Sequence, residues 1–357
     1  MACEIKAWLV LSLVLMVACM QHSVLGNSQA VPCLFVFGDS LADSGNNNNL
    51  PTLSKANFLP YGIDFPTGPT GRYTNGLNPI DKLAQILGFE KFIPPFANLS
   101  GSDILKGVNY ASGSAGIRQE TGTNLGTNVN MGLQLQHHRT IVSQISTKLG
   151  GFHKAVNYLT QCLYYVYIGT NDYEQNYFLP DLFNTSRTYT PEQYAKVLTH
   201  QLSHYLKALH HVGARKTVVV SLDRLGCIPK VFVNGSCIEK QNAAAFLFND
   251  QLKSLVDRFN KKTLKGSKFI FINSTAIIHD KSNGFKFTNA PCCTTNERGK
   301  CILNGTPCQN RTEYVFWDGI HTSEAANIVT ATISYSTSDS AIAHPTNIKH
   351  LVHDILK

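Results

Sequence analysis

The sequence predicts a single α/β domain, a three-layer sandwich with a central parallel sheet. Three observations carry that prediction. Short runs rich in Val, Ile, Phe and Tyr alternate with helix-periodic segments along the chain. These runs are continuously apolar rather than alternating, as strands covered on both faces must be. The 357 residues are 43% hydrophobic and 15% charged, enough for a large core, and no repeat, low-complexity tract or Pro/Ser linker divides them.

The first element is not part of the fold. Lys6 precedes an apolar stretch, Ala7 to Met20, broken only by Ser12 and too short to cross a bilayer. Val24-Leu25-Gly26 places cleavage ahead of Asn27, with a cut after Ala30 as the second choice. Residues 1–26 therefore read as a signal peptide and 27–357 as the mature domain. Losing both Glu4 and Lys6 leaves the net charge at +8. No later segment has the length and apolarity of a membrane anchor.

Five runs read as strands: Cys33–Phe37, Gly107–Ala111, Leu163–Ile168, Thr217–Ser221 and Lys268–Ile272. Between them lie helices at Pro79–Leu87, Leu133–Leu149, Pro191–His211 and Glu239–Leu264, with a last one at Ser323–Thr332. In the third of these, Tyr194, Leu198, Leu202, Tyr205 and Leu209 recur at helical spacing; Pro191 opens it and Gly213 closes it. Residues 282–312, crowded with Cys, Asn and Gly, read as a disulfide-tied loop.

Eight of the ten cysteines lie beyond the leader, an even number that suits an oxidising compartment. Cys227 and Cys237 flank a short loop and are expected to pair. Cys292, Cys293, Cys301 and Cys308 would suit a zinc knuckle in a cytosolic protein, but behind a signal peptide they read as disulfides. Cys33 and Cys162, at strand starts, read as buried small hydrophobes. Six Asn-x-Ser/Thr sequons, at Asn98, Asn184, Asn234, Asn273, Asn304 and Asn310, permit glycosylation. The basic residues are scattered and not interleaved with aromatics, which argues against nucleic-acid binding.

Four segments carry chemistry. The first strand runs into Gly38-Asp39-Ser40, where Gly38 permits a sharp turn and Ser40 would open a helical segment. Open parallel sheets bind ligands beyond the carboxyl ends of their strands, so Ser40 is a candidate nucleophile or, alternatively, a helix cap. Asp318-Gly319-Ile320-His321 supplies a carboxylate and an imidazole at an offset that lets both point into one pocket; it could equally be a surface turn. Asn171, in Ile168-Gly169-Thr170-Asn171-Asp172, could donate to an oxyanion or form an Asx-turn. Asn109-Tyr110-Ala111-Ser112-Gly113-Ser114-Ala115-Gly116 offers turn amides, and it lacks the Gly-Lys-Ser/Thr ending of a phosphate loop. No G-x-S-x-G elbow is present. His200 and His204 share a helix face without an evident third ligand.

Taken together, FGDSLADSGNN, NYASGSAGI, IGTND and DGIHTSEAAN, in this order, resemble the four signature blocks of the GDSL-motif esterase/lipases, or SGNH hydrolases. The resemblance runs from about Val31 to about Ile333. GRYTNG, LGCIP and YVFWD resemble segments of its large secreted plant branch. It implies a flavodoxin-like SGNH hydrolase fold without a cofactor or metal. By resemblance, Ser40 is the nucleophile, His321 the general base and then acid, and Asp318 the residue that orients His321. The oxyanion hole would comprise the Ser40 amide, the Gly113 amide and the Asn171 side chain. Related chains often carry paired Gly where Gly113-Ser114 stands, which leaves open whether Gly113 or Ser114 supplies the second amide. Thr322-Ser323 replaces a common Pro-Thr.

The function implied is a secreted, extracellular ester hydrolase acting on small-molecule lipid or other acyl esters. The alternatives are acyl transfer to an alcohol through the same residues and a binding or defence protein that keeps the fold without turnover. The chain is expected to be a monomer, and its positive charge suggests weak association with acidic cell-wall polysaccharide. Tyr61, Phe65, Tyr73, Tyr173, Tyr177 and Phe178 lie near the blocks and are candidates for the pocket wall, about half of them expected in the core.

Overall fold

A computed structural model describes residues 29–232 and 235–354. The expected signal peptide and the sequon at Asn234 lie outside the described residues. Strands β1 (Leu34–Gly38), β2 (Leu163–Tyr167), β3 (Lys216–Val220) and β4 (Lys268–Ile272) pair in parallel in that order. Each lies within a residue of its expected bounds. A separate parallel pair, β5 (Phe287–Pro291) and β6 (Tyr314–Phe316), stands apart from this sheet. An unanticipated strand, β7 (Ala343–His344), closes the far edge antiparallel to β4.

The fifth expected strand, Gly107–Ala111, is corrected. It runs beside β1, exchanging hydrogen bonds through the Val36 N–H and carbonyl, yet forms only isolated bridges at Asn109. The ladder stops because the Gly38 N–H, the next donor toward this segment, is taken by Gln134 Oε1 at 2.9 Å, while on the segment's other edge the Asn46 side chain takes the Asn109 and Ala111 carbonyls at 3.0 and 2.7 Å. Counted as the second strand, this segment gives the order 2-1-3-4-5 of flavodoxin-like sheets.

The described helices include α1 (Pro79–Ile86), α2 (Met131–Leu149), α3 (Phe152–Leu159), α4 (Pro191–His211), α5 (Glu239–Arg258), α6 (Glu324–Ser336) and α7 (Ile348–His353). Strand residues of opposite parity feed two cores, which makes the three layers. Phe35, Phe37, Tyr164, Val166 and Val219 pack with α2, α3, α4 and α5. Leu34, Val36, Tyr165, Val218 and Ile270 pack with α1, α6 and α7. Helix α5 stops at Arg258, short of the expected Leu264, because the backbone widens into a π-turn over Phe259–Thr263. As read from their prolines, α1 and α4 begin at Pro79 and Pro191, each behind a capping box.

Four disulfides tie the loops: Cys33–Cys162, Cys227–Cys237, Cys292–Cys308 and Cys293–Cys301. The expected Cys227–Cys237 pair is present. Cys33 and Cys162, read as lone hydrophobes, instead join neighbouring strands at their entries, since the parallel register sets Leu34 beside Leu163. Among the described residues no helix is long and apolar enough to cross a membrane.

Candidate active site

The segments that follow β1, β2 and β3 open side by side into one cleft. Ser40, Asn171 and Asp223 line it from these three positions, and His321 lines it from the far end of the chain. Gly38 ends β1, and a Cβ there would stand 2.6 Å from the Tyr167 carbonyl, so glycine serves close strand approach rather than the sharp turn expected. Gln134 of α2 clasps this strand end, accepting from the Gly38 N–H at 2.9 Å and donating to its carbonyl at 2.7 Å. The helix expected to open at Ser40 is a single turn, in which the Ala42 and Asp43 N–H groups donate to the Asp39 carbonyl. The Asp39 carboxyl is buried, accepts from the Leu41 N–H at 3.0 Å, and is pushed up to about 8 by that burial.

Asp318 and His321 occupy a tight loop between β6 and α6, closed by the Trp317 N–H donating to the His321 carbonyl at 2.8 Å. Asp318 is fully buried. Its Oδ1 accepts from the Ile320 and His321 N–H groups at 2.8 and 2.7 Å, and its Oδ2 accepts from the Tyr61 hydroxyl at 2.6 Å. Burial alone would raise this carboxyl; the charge and hydrogen bond of His321, joined by Tyr61, outweigh it and hold it below the usual range. His321 Nδ1 lies 2.8 Å from Asp318 Oδ2, and its Nε2 lies 2.8 Å from Ser40 Oγ. Ser40, His321 and Asp318 therefore form one hydrogen-bonded series across 281 positions of sequence.

The expected oxyanion donors divide. The Ser40 N–H has no acceptor among the described residues. Asn171 spends one side-chain hydrogen on the Ala115 carbonyl at 3.0 Å, which leaves the other for a ligand. Gly113 does not fit the expectation: its N–H donates to Asp43 Oδ2 at 3.0 Å and the residue does not line the cleft. The cause is Asp43, a buried carboxyl that also collects the Gly45 and Asn46 N–H groups. Ser114 does line the cleft, at φ +63°, and its N–H has no acceptor among the described residues. Gly113 is needed for another reason, because a Cβ there would meet the Tyr73 hydroxyl at 2.1 Å.

Buried amides and a carboxylate bind the first three sequence blocks to one another. Asn46 and Asn47 bridge the first block to the second, and Asn109 returns a bond to the Ala42 carbonyl at 2.7 Å. Asp172, beside Asn171, accepts from the Ile117 and Arg118 N–H groups at 2.7 and 3.0 Å. The non-reacting motif residues thus act as the frame that holds the others in register.

The cleft has a volume of ≈ 240 Å³ and is walled by Leu53, Leu125, Leu179, Leu182, Leu225 and Ile228. Of the six aromatic candidates only Tyr73 lines it. Tyr73 packs on His321, with ring centroids 4.8 Å apart. Tyr173 and Tyr177 are core residues with Phe178 against them, and Phe65 covers the Arg72 guanidinium at 4.2 Å. Tyr61 stands behind Asp318 and also accepts from the Cys301 N–H at 3.1 Å, a role that aromatic content alone did not indicate. Glu174, Lys230, Arg298 and Lys300 also reach the cleft, and nothing in the motif strings pointed to them. His200 and His204 meet on the exposed face of α4.

A doubly wound sheet with a Ser–His–Asp series at its carboxyl edge is the architecture of a hydrolase-type enzyme. The family model described as GDSL-like Lipase/Acylhydrolase matches residues 34–332, and the chain belongs to that family. One GDSL esterase/lipase of Arabidopsis thaliana is 43% identical over 95% of this chain and 97% of its own length. A second from the same plant is 44% identical over 90% of this chain and 92% of its own. Among solved structures, a catalytic mutant of an acetylxylan esterase from Geobacillus stearothermophilus is 10% identical and covers 84% of this chain and 91% of its own, with a TM-score of 0.37. The chain is thus an esterase/lipase-type hydrolase of ester substrates.

Proposed function

We propose that the protein is a secreted serine carboxylic-ester hydrolase that works through an acyl-enzyme on Ser40. The observation that carries the reading is the hydrogen-bonded series Ser40–His321–Asp318 at the floor of an apolar cleft. His321 Nε2 takes the Ser40 proton as Oγ attacks the ester carbonyl, and Asp318 stabilises the imidazolium that forms. The oxyanion gathers its charge against the Ser40 amide, the Ser114 amide and the Asn171 side chain. His321 returns the proton to the departing alcohol, and water activated by the same nitrogen frees the acid.

Secretion is supported by the leader-like first 26 residues, by the four disulfides, and by exposed sequons at Asn98, Asn184, Asn304 and Asn310. The charge of +8 supports weak retention on acidic cell-wall polysaccharide.

The test is product analysis on a short-chain p-nitrophenyl ester with and without an added alcohol. Free acid should predominate in both; a predominance of transferred ester would replace hydrolysis by acyl transfer. In the same assay Asn171→Ala is expected to lower kcat by about 10²–10³-fold, the usual cost of one oxyanion donor. Its far-UV circular dichroism should stay unchanged, since the lost bond to the Ala115 carbonyl is local.

A further inference from the structure

Three cations share the cleft with Ser40 and have no part in the chemistry described so far: Lys230, Arg298 and Lys300. None of them makes an ion pair among the described residues. Their placement is built into the fold. Arg298 and Lys300 flank Gly299 in a tight turn inside the Cys293–Cys301 loop, and both of their N–H groups donate to Asn296 Oδ1. The Gly319 N–H donates to the Gly299 carbonyl at 2.6 Å, and the Lys230 N–H donates to the Gly319 carbonyl at 2.8 Å. Gly319 lies between Asp318 and His321, so the two segments that carry these cations are tied through its backbone to the loop that carries the histidine.

Lys300 has only carbonyl partners, those of Leu53 and Lys55 at 3.0 and 2.8 Å, and its Nζ stands 5.2 Å from the centre of the Tyr73 ring that packs on His321. Burial, joined by the neighbouring Arg298 charge, draws its amine down to about 8 against the opposing pull of the Asp318 carboxylate. Among the described residues no carboxyl of the cleft pairs with Lys300 directly. Asp223 is engaged by His279 at 3.0 Å, and burial pushes Glu174 up to about 7 even with Lys230 and His321 nearby. Below that pH the three cations outnumber the ionised carboxylates beside them, Asp223 and Asp318.

The direction of the reaction gives that charge a meaning. His321 Nε2 delivers its proton to the leaving alkoxide, so the alcohol part of the ester departs on the histidine side, where these cations are mounted. We propose that the cleft selects esters whose alcohol portion carries an anionic group, a carboxylate or a phosphate, bound by Lys230, Arg298 and Lys300. A guanidinium fork and two ammonium groups are suited to either anion. The inference rests on the serine-ester mechanism proposed above.

The test compares butyrate esters of matched phenols: 4-hydroxybenzamide as the neutral arm, 4-hydroxybenzoate and 4-hydroxyphenyl phosphate as the anionic arms. At about pH 6 and low salt, kcat/KM should favour an anionic arm over the neutral one by about tenfold, the worth of one charge-assisted contact. Arg298→Gln and Lys230→Gln should each lower the anionic-to-neutral ratio several-fold, and about 0.5 M NaCl should erode it. Preference for both anionic arms, or for one alone, supports the site and states its anion. Equal kcat/KM on all arms, or variants that lower all arms equally, overturns this inference and leaves the ester hydrolase standing. Absence of turnover on every arm overturns the proposed function, and this inference with it.

Discussion

Ser40→Ala is expected to lower kcat for a short-chain p-nitrophenyl ester by about 10⁴–10⁶-fold, the loss seen when a nucleophile is removed from such a series. The Ser40 hydroxyl has one side-chain hydrogen bond, to His321 Nε2, and carries none of the links between the sequence blocks. Removing Oγ therefore leaves Asp43, Asn46, Asn47 and Asn109 in place, and the thermal midpoint should move by no more than about 2 °C. Steady-state kinetics together with a thermal melt check both halves. A variant that keeps a tenth of the activity would move the nucleophile elsewhere. A variant that fails to fold would show Ser40 to be structural, and Ser40→Gly or Ser40→Cys would then be compared.

Asp318→Asn is the second large effect, about 10⁴-fold in kcat near neutral pH. The argument is one of hydrogen-bond polarity. Oδ1 of Asp318 accepts two backbone N–H groups, so an asparagine must place its oxygen there. Its NH₂ group then faces His321 Nδ1 and the Tyr61 hydroxyl, where Asp318 presents an acceptor. Nδ1 is forced to accept, the imidazole carries its proton on Nε2, and that nitrogen can no longer take the proton of Ser40. Raising the pH should not restore the wild-type rate, because the fault is the tautomer and not the ionisation of a carboxyl. Recovery to within tenfold of wild type would contradict the orienting role of Asp318.

Much of this architecture was legible before any coordinates. Strands buried on both faces must be continuously apolar, so β1 to β4 announced themselves within a residue, and helices as long as α4 show their period over several turns. Short elements carry no such period, which is why α3, α7 and the two-residue β7 went unread. Gly107–Ala111 looked locally like the other strands and does run beside β1; what it lacks is a continued ladder, because the Gln134 side chain takes the Gly38 N–H. Partnerships of this kind are set by the fold and leave no trace in local composition.

The candidate site divides along the same line. Ser40, Asn171, Asp318 and His321 stand in compact strings whose residue types state a chemistry; Ser40, Asn171 and His321 line one cleft, with Asp318 buried against His321. Gly113 and Ser114 are adjacent amides, and which of them stays without a partner depends on the reach of a single buried carboxyl, Asp43. The Tyr61 contact spans 257 positions and the Cys33–Cys162 bridge spans 129, and neither spacing suggests itself from sequence. The cations beside the Gly319 loop belong to the same class, since two disulfide-tied loops, Cys227–Cys237 and Cys293–Cys301, carry them there and no motif does.

The account depends most on a covalent bond between Ser40 and the acyl group of the substrate. The direct measurement is rapid acid quench of the purified protein during turnover of a p-nitrophenyl ester, followed by mass spectrometry of the peptide that contains Ser40. The prediction is an added acyl mass on that peptide, located at Ser40, absent from Ser40→Ala and formed as fast as the initial burst of p-nitrophenol. Turnover without any acylated peptide, or an acyl mass on a different residue that Ser40→Ala retains, would contradict it.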